Sequence, residues 1–354
     1  MPDAPPRRWS ERPLVQLTLV RVREFTREPE AVFWTFIFPV LMTAGLGIAF
    51  RSKPEETARI AVLASAPAAA EAAARLRSDR HLDVRLLDDS AAAKELRTGR
   101  IALVVVPATS ATVEYRFDDT RPEGVAARRL VDDALQRQAG RRDPVAVKEA
   151  VIREKGSRYV DFLVPGLLGM NLLGSGVWGI GFAVVDARRK RLLKRLVATP
   201  MPKPAYLASF ILSRLGLLVL EAGVLLAFGA LIFGVPMRGS ITALVIICVV
   251  SALAFAGVGL LVASRARTIE AASGLMNFTM VPMWVFSGIF FSSSRFPQVI
   301  QPFVQALPLT AVNNALRANM LEGATLAQVG PELAIVAAWL AVTFVVALRI
   351  FRWQ

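Results

Sequence analysis

The sequence predicts an α-helical integral membrane protein: six transmembrane helices, with an extracytoplasmic α/β domain inserted between the first and the second. Three observations lead there. Apolar runs of bilayer length recur along the chain, one long charged stretch follows the first of them, and Lys and Arg crowd the segments that such a topology places on one side. Of 354 residues 54% are hydrophobic and mean hydropathy is +0.48, although 20% are charged, so charge and apolar surface must be segregated along the chain.

A bilayer core takes roughly 20 apolar residues of helix. Residues 31–50 (AVFWTFIFPVLMTAGLGIAF) supply the first such run without a charge. It follows a largely polar segment, 1–30, and lacks a small-residue cleavage signature after it, which reads as an anchor and not a signal peptide. The five further spans, in a transmembrane region covering 159–354, are 159–185, 205–233, 240–263, 271–291 and 332–348. A loop at 186–204 joins the second span to the third, and a segment at 292–331 joins the last two. The short segments assigned inside hold 17 Lys/Arg, against Arg238, Arg295 and Arg317 in the short external ones, which puts both termini in the cytoplasm.

Residues 51–158 carry 21 Lys/Arg and 17 Asp/Glu, and a domain this long translocates largely regardless of charge. Apolar runs Ile60–Leu63, Leu82–Leu87, Ile101–Val106 and Val113–Phe117 predict strands. Helical patterns at Ala68–Arg77, Ala91–Arg97 and Gly124–Gln138 alternate with or follow them. A small α/β domain results.

Function classes fall away on composition. One cysteine, Cys248, and one histidine, His81, cannot form a disulfide framework, a Cys/His metal site or a Cys-His pair. The chain has no Gly-Lys dipeptide, so it lacks the phosphate-cradling loop of an ATPase and should hold no cofactor of its own. The densest cations lie between two apolar spans and not on a soluble face, which argues against nucleic acid as a partner.

That cation cluster is the segment DARRKRLLKRLVATPMPKPA, residues 186–205. In a helix Leu192, Leu193, Leu196 and Val197 make one narrow apolar stripe among Arg188, Arg189, Lys190, Arg191, Lys194 and Arg195. Pro200, Pro202 and Pro204 end the helix, because proline lacks the amide donor. Such a helix can press its apolar side into a partner's groove. The same cations equally serve to fix topology and to touch anionic lipid, at about 1 kcal/mol each near the surface. Residues 10–30 place Leu14, Val15, Leu17, Leu19 and Val22 among charges, compatible with an interfacial helix or with a plain polar flank.

Charges within spans need a partner or a task. Arg214 and Glu221, seven residues apart in the third span, share one face about 10 Å apart along the axis, a separation that predicts no easy pairing between them. An interhelical tie and a substrate contact both stay open for them. Asp161, at the outer end of the second span, reads as a cap or interface group, and the glycines at 166, 169, 174, 176, 179 and 181 read as close helix packing, with the lining of a pathway as the alternative.

Several motifs, in order, carry a resemblance. Arg195-Leu196-Val197-Ala198-Thr199-Pro200 resembles the R-L-x-A-T-P signature in the first cytoplasmic loop of type-2 ATP-binding-cassette (ABC) transporter permeases. Arg27-Glu28-Pro29 resembles the family's R-D-P before the first span, with Glu28 where Asp is usual. Tyr159–Leu167 (YVDFLVPGL) is similar to its start of the second span, and Phe296–Arg317, with Leu307-Pro308-Leu309-Thr310, to its external re-entrant segment. Arg191 stands where the family commonly has a small residue.

The resemblance implies the membrane subunit of an exporter in a bacterial inner (plasma) membrane, catalysing no covalent chemistry itself. It implies that the region Arg188–Thr199, closed by Pro200, is a coupling helix seated on a separate ABC ATPase. Two copies of that ATPase, which would hold ATP and Mg, would serve two permease chains, as a homodimer or a heterodimer in contact with lipid. The family's cargoes are drugs, lipids and glycans, amphipathic or hydrophobic. Two other classes remain beside it. An ion-coupled secondary carrier would use Asp161, Arg214 or Glu221, and a non-transporting scaffold or sensor would bind a ligand on the insert.

Overall fold

The computed structural model describes residues 13–50, 57–109, 112–142, 155–189, 203–266 and 268–350, with no account of the side chains at 187–189 and 203–211. The chain divides into two compact units, Ser52–Val151 and the remainder, Met1–Arg51 with Ile152–Gln354.

The larger unit is helical. Helix α1 spans Pro13–Thr26 and α2 spans Pro29–Ala49, the latter containing a π turn at Phe33–Ile37. Then follow α6 (Tyr159–Arg189), α7 (Lys203–Phe233), α8 (Ile241–Arg265), α9 (Ile269–Phe286), the short α10 (Gln301–Ala306), α11 (Pro308–Arg317) and α12 (Gly330–Ile350); α3 to α5 belong to the insert. Among the described residues five helical stretches are long and apolar enough to cross a membrane: Pro29–Ala49, Tyr159–Asp186, Leu212–Phe233, Ile241–Arg265 and Gly330–Ile350. The span expected at 271–291 is helical over Ile269–Phe286 and is not among the five, because Glu270, Asn277 and Pro282 dilute it.

Helix α6 is the centre of this unit. It packs on α2, α8, α9 and α11, and α8 packs in turn on α12. Leu163, Leu167, Leu168, Leu172, Leu173 and Val177 of α6 are fully or almost fully buried, as are Ile247 and Phe255 of α8. The α6 glycines make this close approach possible. A β-carbon at Gly176 would stand 2.6 Å from that of Phe255, and one at Gly166 would stand 2.7 Å from the carbonyl of Ile289. Outward faces stay apolar and uncovered, as at Val219, Leu231 and Phe278, the pattern of helices whose solvent is hydrocarbon.

The insert holds a four-stranded sheet in the order β2-β1-β3-β4, with β1 (Ala58–Leu63) parallel to both β2 (Leu82–Leu87) and β3 (Leu103–Pro107) and β4 (Val113–Arg116) antiparallel to β3. The strands and helices fall where the apolar runs and helical patterns placed them, within two residues at each start. Helices α3 (Ala69–Arg77) and α5 (Pro122–Gln138) cover a core of Ile60, Val62, Leu76, Leu103, Val105 and Val131, and α4 (Asp89–Arg97) covers Ala61, Leu63 and Val104 on the other face. Central β1 is apolar on both faces for that reason, whereas edge strand β2 alternates. Asp88 caps α4, accepting from the Ala91 amide at 2.7 Å.

Candidate functional site

The segment singled out first, Arg188 to Pro200, lies almost wholly outside the described residues. Arg188 and Arg189 are the last helical residues of α6, while Leu192, Leu193, Arg195, Leu196, Val197, Thr199 and Pro200 fall in the undescribed stretch 190–202. That stretch joins α6 to α7, both long enough to span.

The charged residues of the spans are described, and they correct the reading of Arg214 and Glu221. The two do pair, within α7: Arg214 Nη2 lies 3.3 Å from Glu221 Oε2. Two turns of helix separate their backbones, but two long side chains reaching toward each other close the gap. In an apolar setting neither charge has water to turn to. Glu221 is buried, its side chain 1% exposed, and the Arg214 side chain is largely covered at 11%. Helix α6 supplies the surroundings: Ser175 faces the Glu221 carboxylate, and Gly179, one turn on, leaves the space into which the Arg214 guanidinium reaches.

Asp161 is completely buried and acts as an N-terminal anchor for α6. One oxygen accepts from the Gly156 amide at 2.8 Å and the Arg158 amide at 3.1 Å, and Arg158 closes a fork on both oxygens at 2.8 and 2.9 Å. This is the reach-back half of a capping box, here with aspartate in the first turn. Arg158 also donates to the Gly234 carbonyl at 3.2 Å, and Arg238 returns the contact by donating to the Lys155 carbonyl at 2.9 Å. The loop 234–240 and the start of α6 are thus stitched by two arginines, a contact the sequence reading did not anticipate.

Three more polar contacts lie around α6 that residue type alone did not flag. Asn171, buried, donates to the Thr35 carbonyl of α2 at 3.0 Å. Asn313 of α11 donates to the Ser287 carbonyl at 2.8 Å. Arg317 stacks 3.6 Å over the Phe162 ring and donates to the Phe162 and Gly288 carbonyls, so the one cation of α11 is held by backbone and an aromatic face. An asparagine in the middle of an apolar run was the available signal for Asn171, since a buried amide must find a partner.

In the insert the notable electrostatics are local. The His81 backbone amide donates to Asp79 Oδ1 at 2.9 Å and holds that carboxyl below its usual range. Burial, and then the nearby Asp132 carboxylate, pushes the Tyr115 hydroxyl up to about 12. A small cleft of about 100 Å³ lies between Leu96, Gly99, Asp118, Arg121 and Gly124, well below the few hundred Å³ that a drug-sized molecule fills.

Comparison with known proteins agrees with a polytopic membrane subunit. The family described as ABC-2 family transporter protein matches residues 30–349. The chain is 29% identical over 198 residues to ABC transporter G family member 20 of Dictyostelium discoideum, covering 55% of this chain and 27% of that protein. It is 26% identical over 170 residues to inner membrane transport permease YadH of Escherichia coli, 47% of this chain and 64% of the relative. It is 23% identical over 174 residues to linearmycin resistance permease protein LnrN of Bacillus subtilis, 49% of this chain and 45% of the relative. The matched stretch therefore spans between about a quarter and two thirds of these relatives. With the family match running through most of the sequence and the helices of bilayer length in place, the chain belongs to the ABC-2 transporter family.

Proposed function

We propose that this chain is the permease half of an ATP-driven exporter, working as two such chains, alike or homologous, with two copies of a separate ABC ATPase. The observation that carries the reading is the family match over residues 30–349, with Arg195-Leu196-Val197-Ala198-Thr199-Pro200 set in the loop between two helices of bilayer length. In this reading Arg188–Pro200 is the coupling helix, both termini are cytoplasmic, six helices cross the membrane, and the insert folds outside. The sixth crossing is α9, which buries Ala272, Met276, Met280 and Met283 along one face and leaves an apolar outward face at Leu275, Phe278 and Val281. The cargo in this reading is amphipathic or hydrophobic, the class that the family resemblance implies.

The ion-coupled alternative is weakened by two pairings. Glu221 is engaged by Arg214, and Asp161 by Arg158 and two amides, so each carboxylate already holds a cationic partner within the chain. The deciding experiment is purification of the tagged full chain in mild detergent, followed by identification of what accompanies it. A stoichiometric ABC ATPase whose hydrolysis responds to this chain supports the reading. Its absence, with the chain folded and membrane-inserted, removes it.

A further inference from the structure

Proline 39 determines the shape of α2. Its nitrogen carries no hydrogen, so the carbonyl four residues back, that of Thr35, loses the donor an α-helix would bring, and the ring crowds that carbonyl as well. The helix responds by widening: Phe33–Ile37 forms a π turn in which the Phe38 amide reaches back five residues to the Phe33 carbonyl. The Thr43 hydroxyl is buried and donates to the carbonyl of Pro39 itself at 2.8 Å, so it does not serve Thr35. What serves Thr35 is the Asn171 side chain of α6, whose Nδ2 donates to that carbonyl at 3.0 Å.

A second contact joins the same two helices farther out, where the rings of Phe50 and Tyr159 lie with centroids 4.3 Å apart. The Tyr159 hydroxyl is fixed in turn on the Phe290 carbonyl at 3.0 Å. In lipid no water takes over a hydrogen bond that is let go, so the amide contact resists opening far more than a surface bond does.

We infer that Asn171 is a pin: it satisfies the carbonyl that Pro39 strips of its donor, holds the π turn of α2 in place, and makes α2 and α6 move as one body. The consequence for transport, that the π turn sets the aim of α1 while α6 leads into the segment 190–202, rests on the permease reading. The pin itself does not, and it is tested on the chain alone.

Cys248 is the single cysteine, so a Cys248→Ala background accepts spin labels at Thr26→Cys and Ile48→Cys, both exposed and on either side of the π turn. Pulsed electron-paramagnetic-resonance distances are read with the full chain in lipid nanodiscs. The background should give one narrow distribution. Asn171→Leu should broaden it at least twofold, and adding Pro39→Ala should restore a narrow one at a longer distance, because an alanine amide returns the missing donor. An unchanged width in Asn171→Leu, or a broad one that Pro39→Ala does not narrow, overturns the pin. Should Asn171→Leu fail to give folded protein, recovery of folded yield by Pro39→Ala supports it and no recovery overturns it.

Discussion

Arg214 and Glu221 form an ion pair along one face of a single helix, with 3.3 Å between Nη2 and Oε2, and not a bridge from one helix to the next. Glu221 Oε1 and Arg214 Nε have no hydrogen-bond partner among the described residues, so the pair leaves part of its desolvation cost uncompensated. Removing one partner strands the other charge. Arg214→Met or Glu221→Leu alone should each cost about 3–5 kcal/mol, whereas the two together should cost far less than the sum or even stabilise. Thermal unfolding of the four proteins in one detergent closes the cycle. Additive losses would show that the two side chains do not act as a pair.

The loop stripe is tested by truncation. Leu193→Ala with Leu196→Ala removes apolar area worth about 1.5–3 kcal/mol per side chain if both fill a groove, enough to loosen a subunit contact roughly tenfold or more. The double variant should insert normally and lose ATPase co-purification. Arg188→Gln with Lys190→Gln should do less harm, since rim charges are screened. Retained co-purification would reduce the segment to a topological anchor.

The proposed topology rests on the 17-to-3 imbalance of cations between short segments assigned inside and outside. Single cysteines at Ser90 and Ser157, in place of Cys248, should react with an impermeant reagent in spheroplasts, and one at Ala187 only after permeabilisation. Reaction at Ala187 from outside reverses the orientation.

Close packing of α6 on α8 makes a sharp contrast between two glycines. A β-carbon at Gly259 would lie 2.7 Å from the Val177 carbonyl and 2.9 Å from that of Gly176, both rigid backbone, while one at Gly216 meets nothing within 4 Å. Gly259→Ala should therefore destabilise by about 1–3 kcal/mol. Gly216→Ala should be neutral or stabilising by up to about 1 kcal/mol through helix propensity. Melting temperatures in detergent distinguish them, and equal effects would mean that the helices part easily.

Acid should weaken the insert through Asp79. Its folded pKa is depressed, chiefly by the His81 amide, so the stability it confers is present above the ordinary carboxyl value near 4 and is lost as pH falls through the lower folded value. Asp79→Ala should cost about 1 kcal/mol at neutral pH, the worth of one such hydrogen bond, and nothing in strong acid. Hydrogen exchange of residues 58–87, variant against parent at equal pH, measures it. A difference that persists in strong acid would mean that Asp79 acts through packing.

How much was legible differs by unit and by range. The insert's strands and helices could be read because period and turn chemistry are local: Leu82–Leu87 alternates because one face of an edge strand is wet, and the run at Ile60–Leu63 is continuous because a central strand is buried on both sides. The apolar runs of the spans were equally plain, since a helix in lipid must be apolar over its length whatever it packs against. Motif order alone pointed to the family.

Pairing was another matter. Spacing along an axis suggested that Arg214 and Glu221 stand apart, and only the folded surroundings, which offer no water and leave room beside Gly179, bring them together. Pro39 announced a disturbed helix, but nothing local named Asn171, 132 positions beyond it, as the group that answers. Which segments are apolar, where the charges crowd and which family the chain resembles could all be read along the chain, because these depend on neighbours in sequence. Tertiary structure alone decided which buried donor meets which orphaned acceptor, because a polar group shut away from water takes whatever partner packing brings within 3 Å or so.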